Sequence, residues 1–333
     1  MSAVPSRQCG IGVPLFSLVS TRSWGIGEFA DLPAFAEWCA AAGQRYVQVL
    51  PLNEISPGET SPYSSMTAMA LDPIYIHVPD VIDVAALGGE AALPPDDASL
   101  LAGVRASDRV RYGDVRALKL RVLRRGYERF VRDEIATRSP RAQAFESYGR
   151  REGWWLDGYA LFRAIHAAHE ERAWWDWPSS LAYSDPAALR AAGASYAGEQ
   201  QFRAYLQWIA EEQWQAARRA AGVRVFGDLP FMISGDSPVS PVETIRASGC
   251  SPSSATTRSE TTTTAAAPSL SGQQLPAVTV PSGRNTGSSP ARASAVTPGR
   301  GPSSALTVVP SASTSGVMSR DQKPLAIAAS ARC

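Results

Sequence analysis

Residues 31–51 read DLPAFAEWCAAAGQRYVQVLP, and this stretch decides the fold. Asp31 can cap a helix whose apolar positions Leu32, Phe35, Ala36 and Cys39 fall at i, i+3, i+4 and i+7, one face of a 3.6-residue period. Pro33 lies in the first turn, where its missing N–H costs little. The helix ends at Ala42-Gly43, because Gly43 suits the left-handed conformation of a C-cap. Tyr46-Val47-Gln48-Val49-Leu50 then predicts a strand, stopped by Pro51. Upstream, the short apolar run Ile11–Phe16 predicts a first strand. Strand, helix and strand over this length form a βαβ crossover, which implies a parallel sheet.

Outward from this unit, residues 53–76 form a long connection that ends in the apolar Ile74-Tyr75-Ile76. Residues 85–220 carry mostly helical spacing: Leu123, Tyr127 and Phe130 share one face, as do Phe202, Leu206 and Ile209, with Arg and Glu opposite. Val223-Arg224-Val225-Phe226 predicts a third strand, with Asp228 just beyond its end.

The chain changes character at Ser237. Every Trp, Tyr and Phe lies at or before Phe231. From Pro238 onward the text is rich in Ser, Thr, Pro and Ala, and includes the low-complexity run Thr261–Ala267. Such a composition cannot bury enough apolar surface to offset roughly 1–2 kcal/mol of backbone entropy per residue, so residues 238–333 are expected to be a disordered tail.

Charge is nearly balanced, with 32 basic and 31 acidic residues. No part of the chain concentrates positive charge in the way nucleic-acid binding requires. The four cysteines, Cys9, Cys39, Cys250 and Cys333, show no CxxC spacing and no disulfide framework. Cys39 sits in an apolar helical stripe and reads as a buried thiol. The run Val13–Val19 is too short and interrupted for a signal peptide or a membrane span, so the expectation is a cytoplasmic protein without membrane contact. His166 and His169 are near one another on a helix but lack a third ligand; the expectation is a partly exposed structural role, with no metal and no cofactor.

Four stretches together carry a family resemblance. They are Trp24-Gly25-Ile26-Gly27-Glu28-Phe29-Ala30-Asp31-Leu32, Gln48-Val49-Leu50-Pro51-Leu52-Asn53, Ser61-Pro62-Tyr63-Ser64-Ser65 with Asp72-Pro73, and Gly227-Asp228-Leu229-Pro230 with Asp236-Ser237. In order and spacing residues 10–237 resemble the N-terminal part of the 4-α-glucanotransferases (amylomaltases, glycoside hydrolase family 77). Leu161–Ile165 and Trp175-Asp176-Trp177-Pro178 resemble that family's helical insertion.

The resemblance implies an α/β fold: an incomplete (β/α)8 TIM barrel with a helical insertion, followed by the tail. Residues 1–84 would begin the barrel, 85–220 form the insertion and 221–237 supply its third strand. It further implies cleavage of an α-1,4-glucan or maltodextrin and transfer of the glycosyl unit to a 4-hydroxyl acceptor. That retaining chemistry needs a carboxylate nucleophile and a carboxylic acid roughly 5–5.5 Å apart, on loops at the C-terminal ends of barrel strands. By resemblance, Tyr63 would stack on or hydrogen-bond a sugar, Ser61 would support it, and Asp228 would line the donor site.

Each residue also has a plainer reading. Asp228 can cap a turn, Tyr63 can pack a loop, and Asp236 with Ser237 can begin the following helix. The tryptophans Trp154, Trp155, Trp174, Trp175 and Trp177 could stack on sugars but are expected to pack the core.

The family's nucleophile and acid segments do not occur in this sequence. The acids after Ser237 are Glu243, Glu260 and Asp321, none in such a context. Loss of the family pattern inside a motif, followed by Ser/Thr/Pro/Ala/Gly/Arg-rich text, is what a GC-rich gene yields when read out of frame. The expectation is therefore an inactive, truncated 4-α-glucanotransferase with no catalytic residue present; a non-catalytic maltodextrin-binding fragment is the alternative.

Overall fold

The computed structural model describes residues 7–237, and the expected tail at 238–333 lies outside the described residues. Strands β1 (Gly10–Val13), β2 (Tyr46–Val49) and β4 (Arg224–Phe226) form a parallel sheet in the order β1-β2-β4. Ile11 aligns with Val47, Val47 with Val225, and Val13 with Val49. These residues share one face because side chains alternate along a strand, and Val13, Val47 and Val49 are buried.

The first strand is shorter than the apolar run predicts. Pro14 interrupts it, and Leu15–Ser17 turns into a 3-10 helix, because proline cannot donate to a ladder.

Helix α1 (Leu32–Ala41) makes the crossover and buries Leu32, Phe35, Ala36 and Cys39. Gly43 closes it with φ +80°. Asp31 does not cap this helix. Its backbone is already helical, whereas an N-cap needs extended geometry to aim its side chain at the first amides. Its carboxylate instead accepts from the Glu28 N–H at 2.7 Å and the Ser23 hydroxyl at 2.8 Å, closing the turn before the helix.

The Trp24–Leu32 segment is held by close approach and buried charge. A Cβ on Gly27 would sit 2.0 Å from the Leu15 carbonyl oxygen, and Gly25 has φ +80°. Buried Glu28 accepts from the Trp24 N–H at 3.0 Å, faces the Lys119 ammonium at 2.5 Å and contacts the His77 ring. Lys119, also fully buried, donates to the carbonyls of Ile74 and Ile76. Burial holds its ammonium below the ordinary lysine pKa, with Glu28 opposing that shift.

The longer helices that remain are α2 (Pro95–Ala106), α3 (Tyr112–Phe130), α4 (Pro140–Ala168), α5 (Pro186–Ser195) and α6 (Ala197–Ala220). Both predicted faces point inward: Leu123, Tyr127 and Phe130 on α3, and Phe202, Leu206 and Ile209 on α6, are buried. Tyr127 and Phe202 meet at 5.3 Å between ring centroids, and Phe29 reaches Trp214 of α6 at 5.8 Å. One apolar cluster therefore runs from Val47 in the sheet to Phe202 in the helices, and a second gathers Met66, Phe162, Ile165 and Trp177.

A second, two-stranded parallel sheet pairs β3 (Ser64–Ser65) with β5 (Met232–Ile233). Sequence reading does not find it, because two-residue strands have no period to detect. It joins the loop after β2 to the segment after β4.

Candidate functional site: a loop pair at one end of the sheet

The loop after β2 doubles back on itself. Glu54 N–H donates to the Ala70 carbonyl at 3.0 Å, Met66 N–H to Glu54 at 2.8 Å and Asp72 N–H to Leu52 at 2.8 Å. Asp72 anchors the far end: it accepts from the Ile74 N–H at 3.0 Å and from Nη1 and Nη2 of Arg116, at 3.0 and 2.8 Å. This bidentate geometry is among the stronger polar contacts available.

Ser61, Pro62 and Tyr63 sit at the projecting turn of this loop. The Ser61 carbonyl accepts from the Ser64 N–H at 3.1 Å, and the Ser61 hydroxyl lies 3.4 Å from the Tyr63 N–H. Ser61 thus shapes the turn that presents Tyr63.

The structure brings Tyr63 and Asp228 together. The Tyr63 hydroxyl donates to Asp228 Oδ2 at 2.9 Å, while Asp228 Oδ1 accepts from the Leu229 N–H at 2.9 Å. Asp228 therefore holds the next backbone N–H and the tyrosine at once. The bond to the Asp228 carboxylate raises the Tyr63 hydroxyl pKa, aided by burial and by the negative charge. Phe231 packs on Tyr63 with centroids 4.8 Å apart, yet stays 75% exposed, and Leu229 is 74% exposed. Two aromatic faces beside a carboxylate offer a surface for the C–H side of a pyranose and an acceptor for its hydroxyls. Sequence reading passed over Phe231; its place three residues beyond the strand-end Asp228, in a stretch with no helical partner positions, was the available signal.

Behind this surface the segment is fastened from two sides. Trp174 donates its indole N–H to the Gly235 carbonyl at 2.9 Å and its backbone N–H to Asp236 Oδ1 at 3.2 Å. The Ser237 hydroxyl donates to the Met66 carbonyl at 2.9 Å. Asp236 also meets the His166 ring at 2.7 Å. His166 is completely buried, so the expected partly exposed role is corrected: its charged partners replace the water a partly exposed ring would use. The tryptophans divide. Trp177 is buried, but Trp154 and Trp175 are 56% and 55% exposed, so core packing does not account for them all.

An open depression of about 430 Å³ lies at the opposite end of the strands, lined by Arg45, Arg218, Arg219 and Arg224 among others. It contains none of the residues above. Among the described residues no His, Cys, Asp and Glu group has metal-binding geometry, and no helix is long and apolar enough to cross a membrane.

Residues 13–238 match the glycoside hydrolase 77 family model, described as 4-alpha-glucanotransferase. The chain is 35% identical over 218 residues to a 4-alpha-glucanotransferase of Thermus thermophilus, covering 64% of this chain and 41% of that protein. It is 31% identical over 237 residues to one of Chlamydia trachomatis, covering 70% and 42%. The chain thus spans about two fifths of the length of these relatives. The Streptococcus agalactiae amylomaltase in complex with acarbose shares the fold at TM-score 0.57 and 23% identity, over 70% of this chain and 45% of that one. Amylomaltase from Corynebacterium glutamicum aligns at TM-score 0.55 and 27% identity, over 69% and 31%. By the family match and the shared α/β architecture, the chain belongs to the 4-alpha-glucanotransferase family.

Proposed function

We propose that residues 7–237 are the donor-side part of a 4-α-glucanotransferase acting on α-1,4-glucans and maltodextrins, with Tyr63 and Asp228 contacting the sugar and Ser61 setting the turn between them. The carrying observation is the 2.9 Å bond from Tyr63 to Asp228, made between loops that follow the C-terminal ends of adjacent parallel strands. Barrel enzymes place their chemistry at that end. On this reading the three-stranded sheet is the start of a (β/α)8 barrel, residues 85–220 are its helical insertion, and the protein works in the cytoplasm without nucleic acid, membrane or cofactor.

The geometry gives the two residues distinct work. Asp228 has one oxygen committed to Leu229 and the other to Tyr63, so a sugar hydroxyl would donate to lone pairs that these bonds leave free. Tyr63, with its ring backed by Phe231, would present one face to the pyranose. Binding alone does not cleave a glycoside. The nucleophile and proton donor that a retaining transfer needs have no counterpart segments in this sequence, so the chain as it stands binds glucan without transferring it.

The change of text after Ser237 is read as a shift of reading frame. Translating the coding DNA beyond the Ser237 codon in all three frames tests this: the family's nucleophile and acid segments should reappear in another frame, and their absence from all three would reject it. The sugar reading is tested by titrating the chain with maltotriose and with acarbose. Saturable binding lost in Asp228→Ala supports it, and binding unaffected by that substitution rejects it.

A further inference from the structure

We propose that His166 is a positioning residue for the glucan site: its doubly protonated ring, held between Glu171 and Asp236, fastens the Phe231–Ser237 segment and so keeps Asp228 against Tyr63. This rests on the reading of Tyr63 and Asp228 as the sugar-contacting pair.

The protonation follows from distance and donor chemistry. His166 Nδ1 lies 2.7 Å from Glu171 Oε2, and Nε2 lies 2.7 Å from Asp236 Oδ2. Ionised carboxylates only accept, so a ring protonated at both nitrogens satisfies both contacts. Burial and the neighbouring Arg163 charge push the His166 pKa down, but Asp236 and Glu171 outweigh them and the net shift is upward. Burial would likewise raise Glu171, yet His166 and Arg163 hold it well below the usual carboxylate range.

Every element packed on the ring contributes to this balance. From α4, Arg163 places Nη1 2.9 Å from His166 Nδ1 and 2.8 Å from Glu171 Oε2, so two donors share one acceptor oxygen. Arg163 is also balanced by buried Glu54, 3.2 Å from its Nε. From α6, Arg203 lies 3.9 Å from Glu171 and is bonded to Glu199. Phe162 stacks on the ring at 5.5 Å, and Trp177, itself stacked on His169, meets its edge at 6.1 Å. Among the described residues His166 is the one cation in contact with Asp236, whose other carboxylate oxygen accepts from the neutral Trp174 backbone N–H.

Besides this clamp, the segment is held by the Trp174 and Ser237 bonds described above and by a short ladder. That ladder to the Tyr63 loop includes Met232 N–H to the Tyr63 carbonyl at 3.2 Å and Ser234 N–H to Ser65 at 2.9 Å. A neutral ring has one N–H. With that proton on Nε2 the ring still bonds Asp236 and Nδ1 can accept from Arg163 Nη1 at 2.9 Å, but Nδ1 also faces Glu171 Oε2 at 2.7 Å, and Asp236 loses its counter-charge. Because the folded pKa is raised above the unfolded value near 6.5, the clamp is fully present below about 6.5 and is lost as pH rises through the folded pKa.

The test is amide hydrogen exchange at Met232 and Ser234 in the full chain between pH 6 and 9, corrected for base catalysis, in the wild type, His166→Lys and His166→Gln. Protection at both amides should fall at least tenfold with rising pH in the wild type. It should stay level in His166→Lys, which keeps the cation, and be low throughout in His166→Gln. A level wild-type profile, or an equal fall in His166→Lys, would overturn the clamp. Should the variants not fold, the wild-type exchange profile must share its midpoint with the NMR titration of the His166 ring; separate midpoints refute the proposal. Maltotriose affinity should follow the same profile. No binding at pH 6 with the exchange profile intact would reject the sugar reading and the positioning role while leaving the clamp itself.

Discussion

The Tyr63 hydroxyl and the Asp228 carboxylate meet at 2.9 Å across 165 positions of chain. This bond joins the loop after β2 to the segment after β4. Asp228 stabilises the protonated phenol, which is why the Tyr63 pKa is raised. Asp228→Asn should return Tyr63 to near 10, the ordinary tyrosine value, read from its ring signals in an NMR titration. An unchanged Tyr63 pKa would mean that the pair does not form in solution.

Glu28 and Lys119 form a fully buried pair, 0% and 1% exposed. Removing one partner of such a pair leaves a buried charge and typically costs about 3–5 kcal/mol, whereas replacing both with apolar groups costs far less. Lys119→Met should therefore lower the urea midpoint sharply, and Glu28→Leu with Lys119→Met should recover part of the loss. His77 limits that recovery, because it also loses Glu28 as a partner. Equal effects of the single and double substitutions would contradict the account.

Asp83 gives a prediction in acid. Burial would raise its pKa, but Arg141, Tyr205 and Arg129 together bring it below the usual value. A depressed folded pKa means a contribution fully present above about 4 and lost as pH falls through the folded value. Asp83→Asn should therefore destabilise the protein most at neutral pH, with the gap to the wild type closing in acid. A gap independent of pH would assign the effect to packing alone.

The βαβ unit was legible because its signals are local: a 3.6-residue stripe, Gly43 with φ +80°, and an alternating strand stopped by proline. Asp228 was legible as an acid at a strand end. What escaped depends on partners far along the chain. The β3–β5 ladder is two residues long. His166 and Asp236 are 70 positions apart, so the helix alone suggested only two nearby histidines. Asp31 misled because capping and turn closure use the same residue type, and only the backbone angles separate them. Exposed Trp154 and Trp175 escaped because spacing places a residue on a face without saying what covers that face.

Transfer activity provides a separate test. With maltotriose as the sole substrate, the chain should yield neither glucose nor longer maltodextrins, since contacts that only bind cannot replace a covalent intermediate. Products that disappear in Tyr63→Ala would show catalytic groups elsewhere in the chain.

The most direct measurement is a calorimetric titration of the full chain with maltotriose at pH 6, repeated with Tyr63→Phe and Asp228→Ala. Tyr63→Phe keeps the ring against Phe231 and removes a hydroxyl bonded to a charged group, a contact worth about 1.5–3 kcal/mol. The account predicts saturable one-site binding in the wild type, at least tenfold weaker binding in Tyr63→Phe and none in Asp228→Ala, with the thermal transition of each variant close to that of the wild type. Equal affinity in all three proteins, or no binding by the folded wild type, would contradict it.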